Sequence, residues 1–341
     1  MGKRGPHHKK HIKRFFLIPT LVLFFGSIMF SWSIFTDAST PNQEVQFGVT
    51  FSTKYASYLG LDWKQVYLAS LDDLHIKFYR IPIYWDEIES EQGNINLDNV
   101  RWMLDEADKR GVKVILAIGQ RVPRWPECHP PAWTRNLSKI EIQEQETRMI
   151  DTIVTELKDY EAVDRWQVEN EPFFAVFGEC TKPDEEFISK TVARVKQLDP
   201  TKPIIITDSG ELSTWADAAG VGDILGISMY RVTWNSLFGY FYYPLPPAYY
   251  KNKAKLISPW VQDVIVTELQ AEPWVPSTIL TTSLEDQFHS MNPKRFLNNV
   301  EFARRTSMSQ VYLWGVEWWY WLKQYHNYDA MWETARTVFN N

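Results

Sequence analysis

The chain has 341 residues, of which 45% are hydrophobic, so it can bury one core of the size that an eight-stranded α/β barrel needs, about 250 residues. Six basic and no acidic side chains lie in residues 1–36, which leaves 30 basic against 42 acidic side chains and a net charge of −12 for the rest of the chain. This acidic body argues against nucleic acid as a partner.

The N-terminal segment has the pattern of a membrane anchor. Residues 1–14 form a basic head, and the 21 residues 15–35 carry no charge, which is long enough to cross a bilayer. A cleaved secretory signal has a shorter apolar region of about 7–15 residues and a small-x-small cleavage site, and Thr36-Asp37-Ala38 is a poor one. We therefore expect an uncleaved transmembrane signal anchor, with cleavage and secretion as the alternative.

The distribution of charge around this segment predicts where the body lies. A basic head stays on the cytoplasmic side, so in either case the body is expected outside the cytoplasm. The polar residues 36–44 read as a linker, and residues 45–341 as the globular domain.

From Val45 onward, short β-branched or aromatic runs alternate with segments of helical periodicity. Eight runs have the length and composition of buried strands: 45–51, 77–84, 113–118, 163–168, 203–207, 223–229, 261–267 and 311–316. Five intervening segments have helical periodicity: 63–75, 99–110, 140–158, 184–197 and 292–305.

The strand and helix count predicts a (β/α)8 TIM barrel. Asp98-Asn99 is expected to cap the second helix, and Gly111 to close it. The sixth unit is irregular, because residues 234–250 read as an aromatic, proline-containing loop followed by only a short helical piece, 248–256. A doubly wound open sheet is the rival fold, but no glycine-rich dinucleotide turn follows any strand.

Two glutamates at strand ends are the candidate catalytic residues. Glu171 follows strand four and Glu268 ends strand seven, so both are expected at the mouth of the barrel, the edge where the carboxyl ends of the strands meet. Paired carboxylates of this kind are typical of a retaining glycosidase, which needs a separation of about 5–5.5 Å between them. Arg80 lies within the second strand and needs a buried anionic partner, so it is expected to hold the nucleophilic carboxylate ionised.

The chain is rich in aromatic residues, at 15% with 16 Trp, and flat aromatic faces pack against pyranose rings. About half of the tryptophans in the loops are expected to contact sugar and the others to pack beneath the loops. The candidate sugar platforms are Trp85, Trp125, Trp133, Trp234 and Trp274.

These features together resemble the clan A glycoside hydrolases, and the family 5-like, cellulase-type members most closely. The resemblance covers the chain from about Gly48 and rests on residues that occur in the family's order, each at its own strand end. They are Arg80, Asn170-Glu171-Pro172, Tyr230, Glu268 and either Trp318 or Trp319. Two positions depart from the family pattern: Ser228 stands where many members have His before the Tyr, and Gln120-Arg121 stands where many have a His after strand three.

The resemblance implies a double-displacement glycoside hydrolase acting on an O-glycosidic bond, with β the expected configuration. Glu171 would be the acid/base and Glu268 the nucleophile, Asn170 would bind the sugar 2-hydroxyl and Tyr230 would orient Glu268. Trp318 or Trp319 would form the floor under the sugar. The other acids near the mouth, Glu169 and Glu317, are either hydroxyl acceptors or paired rim charges, and the second is expected for Glu169.

Other functions are weighed against this one. A membrane-tethered carbohydrate-binding barrel without turnover is the second hypothesis, but the full set of acid, nucleophile, Asn, Arg and Tyr favours an enzyme. Hydrolysis and transglycosylation share the same intermediate, so the sequence leaves both open. A metal-dependent hydrolase is not supported, since the seven His show no ligand spacing, and we expect neither a metal nor another cofactor. The expected state is a monomer with an oligo- or polysaccharide substrate.

The two cysteines fall in loops that follow neighbouring strands. Cys128 comes after strand three and Cys180 after strand four. Because the body is expected in an oxidising compartment, we predict a disulfide between them that stiffens one wall of the cleft.

Overall fold

The computed structural model describes residues 44–174, 176–181 and 184–340. The described part contains ten strands: β1 (Gln46–Thr50), β2 (Phe78–Pro82), β3 (Lys113–Ile118), β4 (Val163–Val168), β5 (Ile204–Asp208), β6 (Ile224–Met229), β7 (Val232–Asn235), β8 (Gly239–Tyr242), β9 (Asp263–Gln270) and β10 (Gln310–Trp314).

Twelve α-helices follow or separate these strands in the described part. They are α1 (Thr53–Tyr58), α2 (Trp63–Asp72), α3 (Trp85–Ile88), α4 (Asp98–Asp108), α5 (Lys139–Leu157), α6 (Glu185–Leu198), α7 (Ala216–Ala219), α8 (Pro247–Ile257), α9 (Leu284–Ser290), α10 (Pro293–Arg304), α11 (Val316–His326) and α12 (Ala330–Phe339). A short 3₁₀ helix, Ala132–Asn136, lies in the loop after β3.

Eight of the strands close into a parallel barrel, in the order β1-β10-β9-β6-β5-β4-β3-β2. The predicted (β/α)8 barrel is therefore confirmed. Each predicted strand matches one barrel strand, with ends that differ by up to three residues. Side chains from five barrel strands, including Ile115, Ile205, Ile265 and Tyr312, form a buried cluster separate from the main core, as expected for the packed interior of such a barrel.

Strand β9 differs from its prediction in a way that affects the site. It continues to Gln270, so Glu268 lies inside the strand rather than at its end. Both neighbouring ladders skip a residue here: Ile227 and Ser228 of β6 pair with Val266 and Glu268, and the β10 ladder also shifts after Val266. Such a bulge re-aims the side chains beside it and is common next to active sites.

The five predicted helices are present, with ends that differ by at most three residues. The second of them, α4, begins at Asp98 and has Leu97 at its N-cap with no side-chain cap bond, so the predicted cap by Asp98-Asn99 is wrong. Gly111 adopts a positive φ of 61°, as expected where the chain reverses after the helix.

The sixth unit contains a hairpin that the sequence analysis treated as a loop. Strands β7 and β8 pair antiparallel through Val232↔Tyr242 and Asn235↔Gly239. The turn forms because the Asn235 side chain accepts hydrogen bonds from the backbone N–H groups of Leu237 and Phe238, at 3.0 and 2.8 Å. Helix α8 follows, close to the predicted helical piece.

The basic head, the predicted transmembrane segment 15–35 and the linker up to residue 43 lie outside the described residues. Within the ranges that are described, no helix combines the length and the apolar character needed to cross a bilayer.

Candidate active site

Glu268 is held by two donors at the mouth of the barrel. Arg80 Nη1 donates to its Oε1 at 2.8 Å, and the Tyr230 hydroxyl donates to its Oε2 at 3.0 Å. Arg80 is fully buried, and its other nitrogens donate to Gln167 Oε1 and to Asn170 Oδ1, each at 2.6 Å. The guanidinium is thus paired as its burial requires, and the Glu268 carboxylate has a fixed position.

Glu171 has a different environment. It follows β4 with a φ of 43°, and its backbone N–H donates to Thr207 Oγ1 at 2.7 Å. Its buried side chain is hydrogen-bonded to Ser228, one of the two positions that depart from the expected family pattern. Burial raises the pKa of Glu171 well above its usual range, and the nearby Glu268 raises it further.

Asn170 connects the two sides of the site. Its Oδ1 accepts from Arg80, and at longer distance from Thr207 Oγ1 (3.2 Å) and Gln167 Nε2 (3.3 Å). Its Nδ2 donates to Glu127 Oε2 at 2.8 Å. These contacts fix the amide orientation, and Asn170 and Glu268 share Arg80 as a hydrogen-bond donor.

Glu127 is a third buried carboxyl that the sequence analysis missed. It lies in the loop after β3, with a φ of 74°. Burial raises its pKa to about 7, with the charge of Glu268 the next contribution. In the sequence it is one glutamate in an irregular loop, and only its position next to Cys128 could have drawn attention to it.

A second cluster of charged side chains lies at the barrel mouth and consists of Arg124, Glu272 and Glu317. Arg124 is ion-paired with Glu272, and with Glu317 at 2.9 Å. Glu317 also accepts from the backbone N–H of Ser52 and is fully buried. Glu317 is therefore a paired charge, one of the two roles considered for it, and Arg124 and Glu272 are further residues that the sequence did not identify.

Glu169 is not the paired rim charge that was expected. It is buried, and it accepts from the backbone N–H groups of Gln120 and Arg121 at 2.9 and 2.7 Å. Its side chain is hydrogen-bonded to that of Glu146. Burial raises the pKa of both glutamates, which favours a carboxyl pair over an ion pair at this position.

The prediction that Trp318 or Trp319 forms the floor of the sugar site is wrong. Strand β10 ends at Trp314, and Gly315, with a φ of 136°, turns the chain into α11, so Trp318 and Trp319 lie on that helix and are fully buried. Their indole N–H groups donate to Gln287 Oε1 and to the Ala271 carbonyl. The tryptophan at the end of the eighth barrel strand is Trp314, which donates to Glu272 Oε1 at 2.8 Å.

The loop tryptophans divide into packing residues and candidates for sugar contact. Trp85 is fully buried and donates to Glu89 at 2.8 Å, so it cannot stack on a sugar. Trp133 packs edge-on against it. Trp125 is 59% exposed and begins a row of aromatic rings with centroids 5.4–5.9 Å apart, which continues through Phe177 and Trp274 to Tyr230. Trp234 is half-buried on the hairpin.

The predicted disulfide is present between Cys128 and Cys180, with a Cα–Cα distance of 5.4 Å. It joins the loop after β3 to the loop after β4. The same two loops share a hydrogen bond from the Glu179 N–H to the Pro126 carbonyl, at 2.9 Å. A cavity of about 330 Å³ lies beside the disulfide, with Glu146 and Glu169 in its wall but neither Glu171 nor Glu268.

No group of three or more His, Cys, Asp or Glu side chains suited to a metal ion occurs in the described part of the chain. The site thus has two carboxyls in different environments at the barrel mouth: Glu268 is paired with Arg80, and Glu171 has a raised pKa. Aromatic rings line the same mouth.

Comparisons with known proteins place the chain in a family. The family model described as cellulase (glycosyl hydrolase family 5) matches residues 40–302, and the chain therefore belongs to that family. It is a glycoside hydrolase of the retaining kind. A search of curated proteins found no match.

Solved structures share the fold at low sequence identity. A GH5_18 protein from Bifidobacterium longum has a TM-score of 0.57 at 15% identity, over 80% of this chain and 70% of its own. Xylanase 10B from Thermotoga maritima has a TM-score of 0.57 at 16% identity, over 87% and 96%. An exo-β-1,4-mannosidase from an Opitutaceae bacterium has a TM-score of 0.54 at 15% identity, over 82% of this chain and 54% of its own.

Proposed function

We propose that this protein hydrolyses a β-linked O-glycosidic bond by double displacement, with Glu268 as the nucleophile and Glu171 as the general acid/base. The observation that carries the proposal is the difference between the two carboxyls. Glu268 accepts from Arg80 and Tyr230, which favours its ionised form, whereas burial and the charge of Glu268 raise the pKa of Glu171 and favour its protonated form.

Each carboxyl then has one task in each step. In the first step a Glu268 oxygen attacks the anomeric carbon while Glu171 gives its proton to the glycosidic oxygen, and the aglycone leaves as an alcohol. In the second step Glu171 takes a proton from water, whose oxygen displaces Glu268 from the anomeric carbon. The configuration is retained, and the carboxyls are expected about 5–5.5 Å apart.

The residues around the nucleophile position it and the sugar. Tyr230 and Arg80 orient the Glu268 carboxylate through the bonds described above. Asn170 is proposed to bond the sugar 2-hydroxyl, with its amide held between Arg80 and Glu127. Trp125 and Trp274 offer aromatic faces for the part of the substrate outside the barrel.

The proposed substrate is an oligo- or polysaccharide. The β configuration is supported by the structural neighbours, one of which is described as an exo-β-1,4-mannosidase and another as a complex with Manβ1-4GlcNAc. A carbohydrate-binding barrel without turnover is the weaker alternative, because it would not require a protonated carboxyl beside an ionised one. A transglycosylase would use the same residues and a sugar acceptor in place of water.

Replacing the nucleophile tests the proposal directly. Glu268→Ala should lower kcat/KM at least about a thousandfold. Added azide should restore turnover of activated aryl β-glycosides and yield the α-glycosyl azide, because azide fills the space of the lost carboxylate. The azide product is identified by NMR. Glu301→Ala, on the exposed face of α10, is the control. Unchanged activity in Glu268→Ala would remove this residue as the nucleophile.

The acid role of Glu171 predicts a different pattern. Glu171→Ala should slow substrates with poor leaving groups far more than aryl glycosides with good ones, because only the former need a proton on the departing oxygen. Azide should here give the β-glycosyl azide, since it attacks the glycosyl-enzyme from the opposite side. The measurement is kcat/KM across a series of aryl leaving groups. Equal slowing of all substrates would contradict the acid role.

We also propose that residues 15–35 anchor the enzyme in a membrane, with the barrel on the extracytoplasmic side. The support is the uncharged stretch of 21 residues behind a basic head.

A further inference from the structure

The loop after β3 reaches across the barrel mouth. In the closed ring of eight strands, β9 lies four positions from β3, which is diametrically opposite. Arg124, in the loop after β3, is nevertheless ion-paired with Glu272, two residues after the end of β9. The loop after β3 therefore reaches the β9 side of the mouth, passing Tyr55 after β1 and Trp314 at the end of β10.

The Arg124 side chain is held firmly along this path. Its guanidinium carbon lies 3.7 Å from the centre of the Tyr55 ring and 4.1 Å from the Trp314 ring, so it is sandwiched between them. Its Nη2 donates to Glu317 at 2.9 Å, and its own carbonyl accepts from the Glu127 N–H at 2.7 Å. A side chain with partners on all these sides is part of the wall and not a mobile surface arginine.

Other buried groups fill the mouth on one side of this bridge. The Tyr84 hydroxyl, after β2, bonds Ser52 Oγ at 2.6 Å and the Pro123 carbonyl at 3.0 Å. Ser52, after β1, donates its N–H to Glu317, after β10. Tyr84, Ser52, Glu317 and Arg124 are all at least nine-tenths buried. The sector of the mouth above β10, β1 and β2 is thus closed by a connected polar network.

The proposed roles of Glu171 and Asn170 fix which part of the substrate, glycone or aglycone, faces the closed sector. Glu171 protonates the leaving oxygen, and it contacts Thr207 of β5 and Ser228 of β6, so the aglycone leaves on the β5–β6 side. Asn170 is proposed to bind the 2-hydroxyl of the glycone, and it faces Arg80 of β2 and Glu127. The glycone therefore points toward the closed sector.

We infer that Arg124, with Glu272 and Glu317, closes the glycone end of the site, so that the enzyme admits one terminal sugar and acts on the non-reducing ends of β-linked chains. This inference rests on the proposed function and deepens it. Two buried polar atoms of the bridge, Arg124 Nε and Glu272 Oε2, have no hydrogen-bond partner in the described structure. Unpartnered polar atoms in this wall fit a site that the terminal sugar completes, which makes Arg124 a specificity-determining residue.

The test compares 4-nitrophenyl glycosides of single sugars with those of the matching disaccharides: β-glucoside with β-cellobioside, β-mannoside with β-mannobioside, and β-xyloside with β-xylobioside. We expect turnover of at least one aryl monosaccharide, and no release of an intact disaccharide from its partner. An aryl disaccharide should lose its terminal sugar first, so that nitrophenol appears after a lag. Direct release of a disaccharide, or turnover confined to the aryl disaccharides, would overturn the inference.

Failure of all six substrates would instead count against the proposed hydrolase, so the inference and the proposed function are tested separately.

Arg124→Ala should open the wall, lower kcat/KM on the aryl monosaccharide about tenfold or more, and add intact disaccharide to the products. Arg101→Ala, which removes an exposed ion pair of α4, is the control and should leave both unchanged. Circular dichroism of each variant confirms the fold, and Glu317→Gln, which weakens the same bridge with less change in volume, should shift the products in the same direction. An Arg124→Ala enzyme that folds but still releases only single sugars would contradict the assignment.

Discussion

At the scale of single residues, the site gathers three buried carboxyls around Asn170. Arg80 contacts only one of them, Glu268, while Glu127 bonds Asn170 and Glu171 bonds Ser228. Neighbouring carboxylates in a buried site raise one another's pKa where no cation neutralises them. Glu127 thus contributes to the raised pKa of Glu171, after burial and Glu268.

Glu127→Gln should therefore move the basic limb of the pH profile. Activity falls with rising pH when Glu171 loses its proton, and the Glu127 carboxylate delays that loss. Glutamine removes the charge but can still accept from Asn170, so the pKa of Glu171 falls and the basic limb of kcat/KM shifts to lower pH. Activity at the optimum should stay within about tenfold of the original.

The measurement is the pH dependence of kcat/KM on an aryl glycoside. Glu179→Gln is the matched control, because this glutamate is exposed on the neighbouring loop. A limb that does not move, or that moves to higher pH, would show that Glu127 does not act on Glu171.

At the scale of elements, the loops after β3 and β4 behave as one unit. The disulfide joins them, and Arg121 Nη2 donates to the Phe177 carbonyl at 2.8 Å. The loop after β3 folds back on itself through the bridge between Arg121 and Cys128 and the bond from the Val122 N–H to the Glu127 carbonyl. Both Arg124 and Glu127, which have positive φ, depend on this loop for their positions.

Removing the disulfide should cost stability and activity together. For residues 52 positions apart, the lost constraint on the unfolded chain amounts to at most about 4 kcal/mol. We expect the Cys128→Ser/Cys180→Ser variant to unfold at lower urea concentration and to have a reduced kcat/KM, because Arg124 and Glu127 lose their support. Urea unfolding followed by tryptophan fluorescence measures the first effect. Intact-mass analysis before and after reduction is the control, and two free thiols in the unreduced enzyme would remove the basis of the prediction.

At the scale of the whole molecule, the direction of β1 relates the proposed anchor to the site. The linker precedes β1, so it enters the barrel at the amino ends of the strands, whereas Glu171 and Glu268 lie toward the carboxyl ends. Nine linker residues, 36–44, extend at most about 30 Å. The proposed anchor would therefore hold the barrel by its base and leave the mouth turned away from the bilayer.

Deleting residues 1–36 should release an active barrel from the membrane. The full chain should sediment with membranes and need detergent, while the shortened chain stays in the supernatant with kcat/KM within about twofold of the original. Carbonate washing of membrane fractions, followed by assay of both fractions on an aryl glycoside, makes the comparison. A full chain that washes off with carbonate would contradict the anchor.

The sequence alone determined the barrel and the two central carboxyls. Buried parallel strands are continuous apolar runs, so their number and order could be read directly. Glu171, Glu268 and Arg80 could be recognised because a charged side chain in or beside an apolar strand is costly to bury unless it is paired. The hairpin of β7 and β8 was missed because its residues are as aromatic as those of a sugar-binding loop, and only the pairing distinguishes the two.

The tertiary structure alone decided the shape of the site. Arg124 and Glu272 are 148 positions apart, and they meet because the loop after β3 reaches to the far side of the closed barrel, where β9 ends. Glu127 accepts a hydrogen bond from Asn170 because its loop contains residues with positive φ. The spacing of hydrophobic residues in the sequence does not predict such a loop conformation. The choice of Trp314 over Trp318 and Trp319 depended on where β10 ends, and strand ends are set by the turn at Gly315 and its packing against Glu272 rather than by the strand's own composition.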